Sequence, residues 1–219
     1  MTEPASAAWR ITYPPEDFAA LKTDERFWQL VALARLVNAL RFAQSSLPGQ
    51  DDDSPRGVRQ RLNSFFHTAA LLKEGIPLAQ RLGKNFRHLP AFKERFLPIL
   101  QDQSVEILLS KHLKPLRNEA VSHFLESELG PRLSNDDFDE LTFVWGMGKT
   151  QGQTYYQLAD MLAMRAFTGT TISREDFLAR ARELMQQTTD LAIKYQSAAD
   201  RLIGEALLEM DWKMERGEG

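Results

Sequence analysis

The chain has 219 residues, of which 43% are hydrophobic and 26% charged, and its formal net charge is −3. This balance is typical of a globular protein with one sizeable core. Because there is no cysteine, disulfides, thiolate metal sites and thiol nucleophiles are excluded. No apolar run reaches the ~18 residues of a membrane span, and the first residues do not resemble a signal peptide. We therefore expect a cytoplasmic protein without a membrane segment.

The charge is unevenly distributed along the chain. Residues 54–117 contain 12 Lys and Arg but only four Asp and Glu, a net charge of +8, so the remaining 155 residues carry −11. A basic segment in an acidic chain is typical of a nucleic-acid footprint. Basic and acidic helices that face each other in a bundle produce the same count. Both interpretations stay open.

Hydrophobic periodicity predicts an all-α fold, an up-and-down bundle of about five main helices. We expect a single domain over residues 1–219, with residues 1–13 irregular. Pro14 and Pro15 begin a short helix that ends near Lys22.

A second helix is predicted from Thr23, as its cap, to about Leu47. Apolar residues surround it almost completely, which predicts burial on most sides. Its polar stripe consists of Arg35, Asn38 and Arg41, spaced three apart. The stripe is interpreted either as a solvated face or ion-pair seam, or as the polar wall of a site.

The third helix is predicted from Pro55 to about Leu82, with a break or kink at Gly75 and Pro77. A turn over residues 83–90 follows.

A short helix over residues 91–97, closed by Pro98, precedes a fourth helix that begins near Asp102 or Ser104. This fourth helix is expected to be kinked at Pro115 and to end at Gly130 and Pro131.

The rest of the chain is predicted as a long connection over residues 132–152, a helix over residues 154–167 and a final helix. The final helix is capped by Thr170 or Ser173 and extends to about Met214.

The fourth helix carries the residues with the most evident chemistry, in the stretch Leu116-Arg117-Asn118-Glu119-Ala120-Val121-Ser122-His123-Phe124. A guanidinium binds phosphate bidentately and stays charged. An imidazole exchanges protons near neutral pH. Such a pair suits metal-free cleavage of RNA, in which the base deprotonates a 2′-hydroxyl and the arginine stabilises charge on the phosphate.

Other catalytic patterns are not met. Gly146-Met147-Gly148-Lys149-Thr150 ends like a phosphate-binding loop, but Phe143 stands where the motif needs its first glycine. None of the four histidines has a glutamate three residues before it, as a di-iron bundle requires. We therefore predict no metal and no cofactor.

The run Leu116-Arg117-Asn118, followed by His123 and an aromatic residue, resembles the HEPN superfamily. Its signature is an arginine, a polar neighbour and a histidine, with four to six residues between the arginine and the histidine. The resemblance covers about ten residues and the helical layout. It implies a bundle that dimerises, a composite site of Arg117 and His123 from both subunits, and metal-independent endoribonuclease activity of a toxin or anti-phage type. It also implies an antitoxin or regulatory partner. In this role His123 is the general acid or base, Arg117 holds the phosphate, and Asn118 orients the histidine or contacts the phosphate.

A second copy of the spacing occurs at Arg61 and His67, without the polar residue after the arginine. On the same helix, Arg59, Asn63 and His67 share a face by i,i+4 spacing and are candidates, with Arg35, Asn38 and Arg41, for binding the substrate. The i,i+6 spacing sets Arg117 and His123 about 120° apart around an ideal helix and about 9 Å along it. A kink, the long arginine side chain or a dimer must therefore bring them together.

The alternative prediction is a non-catalytic protein, either an interaction module or a nucleotide- or RNA-binding bundle. In that case Arg117 and His123 would be buried and paired with acids such as Glu119.

Overall fold

The computed structural model describes residues 9–11, 21–45, 55–113, 145–146, 155–156, 164, 174–210 and 214–216. This part of the chain is almost entirely helical, and its α-helices form an all-α bundle, which confirms the predicted fold class. The helices are α1 (Glu25–Ser45), α2 (Pro55–Phe86), α3 (Leu97–Gln101), α4 (Gln103–Ile107) and α5 (Arg174–Glu209). Two π-helical segments are inserted, π1 (Phe92–Phe96) before α3 and π2 (Leu108–Leu113) after α4.

Helix α1 begins at a carboxylate cap. Asp24 Oδ1 accepts a hydrogen bond from the backbone N–H of Arg26 at 2.8 Å, so the carboxylate of Asp24 caps the first turn. The Arg26 side chain also donates to this carboxylate, which holds the pKa of Asp24 below its usual value. The carboxyl group thus stays ionised at the positive end of the helix dipole.

Burial of α1 is confined to one side. Its buried residues follow three- and four-residue spacing: Phe27, Leu30, Leu33, Val37, Leu40 and Ala43. The opposite side exposes Trp28, Val31 and Phe42 to solvent. The prediction that this helix is buried on most sides is therefore wrong, because the two long helices that pack against it among the described residues cover one side.

Contacts at both ends show that α1 and α2 are antiparallel. The buried Ser64 hydroxyl donates to the carbonyl of Ala43 at 2.6 Å, where α2 begins and α1 ends. At the other end, Lys84 Nζ lies 3.3 Å from a carboxylate oxygen of Glu25. This arrangement agrees with an up-and-down bundle.

Helix α5 also packs antiparallel to α1. Gln196 Nε2 donates to Gln44 at 2.7 Å, and Asp200 pairs with Arg41, one turn earlier along α1. The three long helices share one core with π1, since the buried residues of all four form one continuous cluster.

The three long helices come close together at Gly75 in α2. Tyr195 of α5 is fully buried, and its hydroxyl donates to the Gly75 carbonyl at 2.8 Å. A Cβ atom at position 75 would lie 2.8 Å from Leu36 Cδ2 of α1 and 3.2 Å from Tyr195 Cζ. The tyrosine ring also meets Phe96 of π1 edge-on, with the ring centroids 5.2 Å apart. Four elements therefore meet at this glycine.

Helix α2 continues through the predicted break. It passes Gly75 and Pro77 and ends at Phe86, so the predicted end at Leu82 is wrong and the predicted turn is shorter, over residues 87–89 instead of 83–90. Buried residues before and after the proline, including Leu72 and Leu82, belong to the same core. Packing on both sides offsets the hydrogen bond that the proline removes.

The segment after α2 is a string of short helical pieces. Pro98 lies in the first turn of α3, where its missing N–H is tolerated. It therefore does not end the short helix predicted over residues 91–97. The break comes instead at Asp102, whose extended backbone caps α4. The predicted start of a helix near Asp102 or Ser104 is confirmed.

Short strands replace three of the predicted features. Strand β1 (Trp9–Ile11) pairs antiparallel with β4 (Met214–Arg216), and β2 (Trp145–Gly146) pairs antiparallel with β3 (Tyr155–Tyr156). Residues 9–11 are thus not irregular, the final helix stops at Glu209, and residues 155–156 of the predicted helix over 154–167 form a strand, whereas Met164 is helical. Pairing with a distant segment decides these strands, and helical periodicity cannot reveal it.

Candidate functional site

The main predicted site residues lie outside the described residues. These are Arg117, Asn118 and His123, together with Pro115. The described chain is helical up to Leu113, four residues before the arginine. Their roles stay a prediction.

The polar stripe of α1 faces solvent. Arg35, Asn38 and Arg41 are all exposed. Arg41 forms an ion pair with Asp200 of α5, with 2.5 Å between Nη2 and the carboxylate oxygen. Both side chains of the pair are about half exposed, so the pair contributes little to stability. Arg41 therefore lies in a seam between helices, while Arg35 and Asn38 lie on the outer side of α1.

The polar stripe of α2 also lies at the surface. Asn63 and His67 are exposed, whereas Arg59 and Arg61 are partly buried. The i,i+4 spacing thus places one polar stripe on the side of α2 that faces away from the core, as expected.

A recess lies elsewhere, between α5 and the string of short helical pieces. This α5 cleft has a volume of about 650 Å³. That volume is in the usual range for small-molecule sites. Its apolar floor consists of the buried residues Ile99, Leu108 and Leu191. The break at Asp102 opens the wall opposite α5, because the chain turns there between two helical pieces.

Charged groups of both signs surround this floor. They are Glu94, Arg95, Asp102, Asp190 and Lys194. Hydrogen bonds from the Ser104 side chain and backbone N–H hold the pKa of Asp102 below its usual value, and Lys194 lowers it further. Asp190 accepts a hydrogen bond from Gln186 at 2.9 Å. The near balance of charges gives the cleft no strong preference for anions or cations.

A smaller recess of about 280 Å³ adjoins the α5 cleft at Gln187. It is lined by His112, Arg180, Glu183 and Leu184 as well. The Nδ1 atom of His112 is buried and makes no hydrogen bond within the described part of the chain. The two recesses together follow one face of α5.

The α5 cleft contains none of the residues that we predicted for a site. Its only local signal in the sequence is Asp190 and Lys194 at i,i+4 on a helix, which is common on solvated faces. The opposite wall comes from residues 94–108, far away along the chain, so only the packing reveals it. No cluster of three metal-binding side chains occurs among the residues that the structure describes.

Part of the charge asymmetry is resolved by pairing between helices. His88 Nε2 lies 2.6 Å from a carboxylate oxygen of Glu209, and Glu205 accepts the backbone N–H of Ala91 at 2.7 Å. Acids of α5 thus meet the basic segment at the end of α2. Other cations of that segment are exposed: Arg56, Arg81, Arg87, Lys93, Arg95 and Lys111. The pairs support facing helices of opposite charge, and the exposed cations support a nucleic-acid footprint.

Comparisons with known proteins return no match, since no family model, no curated protein and no solved structure is similar to this chain. None of the described helices is long and apolar enough to cross a bilayer. Evidence for function therefore comes from the residues themselves.

Proposed function

We propose that this chain is a HEPN-like helical protein that cleaves RNA without a metal ion, through Arg117 and His123. The observation that carries the proposal is the arginine–asparagine–histidine motif in a chain whose described part is an all-α bundle. The motif requires a helical setting, and α4 with π2 leads helically to Leu113, just before it. We further propose that two chains associate to form the composite site, in the cytoplasm, and that an antitoxin or regulatory protein restrains it.

The proposed reaction needs only groups that the motif supplies. His123 takes the proton of a 2′-hydroxyl, and the 2′-oxygen forms a bond to the adjacent phosphorus. The bond from phosphorus to the 5′-oxygen breaks, and this oxygen takes up a proton from the second imidazole of the composite site. Arg117 stabilises the charge on the phosphate oxygens, and Asn118 orients the imidazole or contacts the phosphate.

The exposed cations between Arg56 and Lys111 support an RNA substrate. They lie on the segment that leads into the motif. Surface Lys and Arg attract the phosphate backbone regardless of sequence, and the attraction weakens with salt. We therefore expect binding of RNA to weaken as the salt concentration rises.

The decisive experiment incubates the purified full chain with labelled RNA in EDTA. Arg117→Ala and His123→Ala are each expected to reduce cleavage at least about 100-fold, the usual size of a lost general acid or base. His88→Ala is the matched control, because His88 is an exposed histidine in the turn after α2 and is not one of the candidate site residues. Circular dichroism checks that each variant is folded.

Three results would contradict the proposal: an inactive wild-type chain, full activity of His123→Ala, or loss of activity in His88→Ala alone. An inactive wild type would favour the second candidate function, a non-catalytic interaction protein. That candidate is supported by a different observation, the exposed aromatic residues Trp28 and Phe42 on α1.

A further inference from the structure

The outer face of α1 exposes large apolar side chains to solvent. Trp28, Val31, Arg35, Asn38 and Phe42 follow one another at intervals of three and four residues, so they share one side of the helix. The exposed fraction is 47% for Trp28, 41% for Val31 and 70% for Phe42. We call these five residues the α1 outer face. A stripe of this kind on a folded protein marks an interaction surface.

The tryptophan of this face is held in place before any partner arrives. Its Nε1 donates to the carbonyl of Lys22 at 2.9 Å. Its ring meets the ring of Phe27, which is buried, edge-on with 5.0 Å between the centroids. A fixed aromatic ring loses little conformational entropy on binding, which is typical of an anchor residue at an interface.

The charge of the face is positive and concentrated at its centre. Residues 26–45 include no Asp or Glu. Asp24 pairs with Arg26, and Asp200 pairs with Arg41, so these two cations are compensated. Arg35 lies midway between Trp28 and Phe42, and no acid of α1 lies three or four residues from it. The face is thus apolar towards both ends and cationic in the middle.

We propose that the α1 outer face binds an amphipathic helix of a partner protein, in which a carboxylate lies between two apolar anchors. Phe42 lies 14 positions after Trp28, a span of about 21 Å of helix, so a partner helix of about four turns would cover the face. Its apolar ends bury Trp28 and Phe42, and its carboxylate pairs with Arg35. In this binding mode, the apolar side of the partner helix packs against α1 as two helices pack within a protein.

A second copy of this chain fits the face less well. Both Trp28 and Phe42 are covered by a copy of α1 only when the pairing is centred on Arg35. That register brings the two Arg35 side chains together, and like charges at a helix contact repel each other. Complementary charge therefore favours a different, acidic partner.

The site is separate from Arg117 and His123 in the sequence and does not depend on RNA cleavage. The test uses two labelled, alanine-rich peptides of about 18 residues, a length that holds a helix in water. Each peptide has leucines near both ends of one face; one carries glutamate at the centre of that face and the other lysine. Fluorescence anisotropy measures their binding to the full chain.

We expect the wild type to bind the glutamate peptide about tenfold more tightly than the lysine peptide. Arg35→Glu should reverse this preference, because it exchanges the sign of the central charge. Phe42→Ser should weaken binding of the glutamate peptide about tenfold. Ile107→Ser is the control, since Ile107 is 42% exposed on α4 and does not belong to α1, and it should leave binding unchanged.

The proposal is overturned if the wild type binds neither peptide, if it binds both equally, or if Arg35→Glu keeps the original preference. Sedimentation of the same variants tests whether a second copy of this chain covers the face instead. If Phe42→Ser converts a dimer of the wild type into a monomer, a second copy covers the face and the acidic partner is refuted.

Discussion

Gly75 and Gly204 form a natural pair for measuring how tightly the three long helices cross. Both glycines lie inside long helices, α2 and α5. A Cβ atom at Gly204 would meet no atom within 4 Å, whereas at Gly75 it would lie 2.8 Å from Leu36 Cδ2 and 3.2 to 3.3 Å from the Tyr195 ring and hydroxyl. Alanine at the two positions therefore differs in packing but not in helix propensity.

The expected magnitudes follow from these distances. Gly204→Ala should stabilise the protein by about 0.5–1 kcal/mol, the propensity difference between glycine and alanine in a helix. Gly75→Ala gains the same helix propensity, but its new methyl group overpacks the contact between α2 and its two neighbouring helices, which costs about 1–3 kcal/mol. Leu36 can yield by rotating its flexible end. Tyr195 cannot move as easily, because it is fully buried and bonded to the Gly75 carbonyl. We therefore expect Gly75→Ala to be destabilising by about 0.5–2 kcal/mol.

Urea unfolding followed by circular dichroism measures both variants against the wild type. A shift of the midpoint at constant slope reports a change in the free energy of unfolding. If Gly75→Ala stabilises the protein as much as Gly204→Ala does, α1 and α5 do not approach α2 closely at this glycine, and the account of the crossing is refuted.

Two further predictions concern titration. Burial raises the pKa of Tyr195, so the stability that its neutral hydroxyl contributes is present below about pH 10, the ordinary tyrosine value, and is lost as the pH rises above it. Tyr195→Phe should lower the free energy of unfolding by about 1 kcal/mol at neutral pH, because the hydrogen bond to Gly75 is lost. In urea unfolding at alkaline pH, this variant should lose less stability than the wild type does. The Arg26 side chain lowers the pKa of Asp24, so this cap stabilises the protein above the ordinary aspartate value and its effect is lost as the pH falls through the folded-state value. Asp24→Ala should therefore cost about 1 kcal/mol at pH 7 and little in strong acid, and an equal cost at both pH values would contradict the assigned cap.

Much of the helical architecture follows from local rules. Three- and four-residue spacing of apolar residues places α1, α2 and α5, because such spacing creates one face that must be buried. The break at Asp102 is also local, since its carboxylate caps the next turn through Ser104. These features depend on interactions between residues within a few positions of each other.

The errors occur where distant residues decide the outcome. Pro77 does not end α2, because core packing on both sides stabilises the helix. Residues 9–11 and 214–216 form strands only because they meet each other. No local pattern predicts a contact between segments that are about 200 residues apart.

The same division applies to function. The sequence by itself determined the all-α class and the motif at Arg117 and His123, since both are properties of nearby residues. Only the tertiary structure decided that Arg41 pairs with Asp200, that the cleft beside α5 exists, and that Trp28 and Phe42 remain exposed on an apolar helix. The physical reason is that burial and pairing depend on which helices meet, and an apolar helix with two long neighbours cannot cover all of its sides.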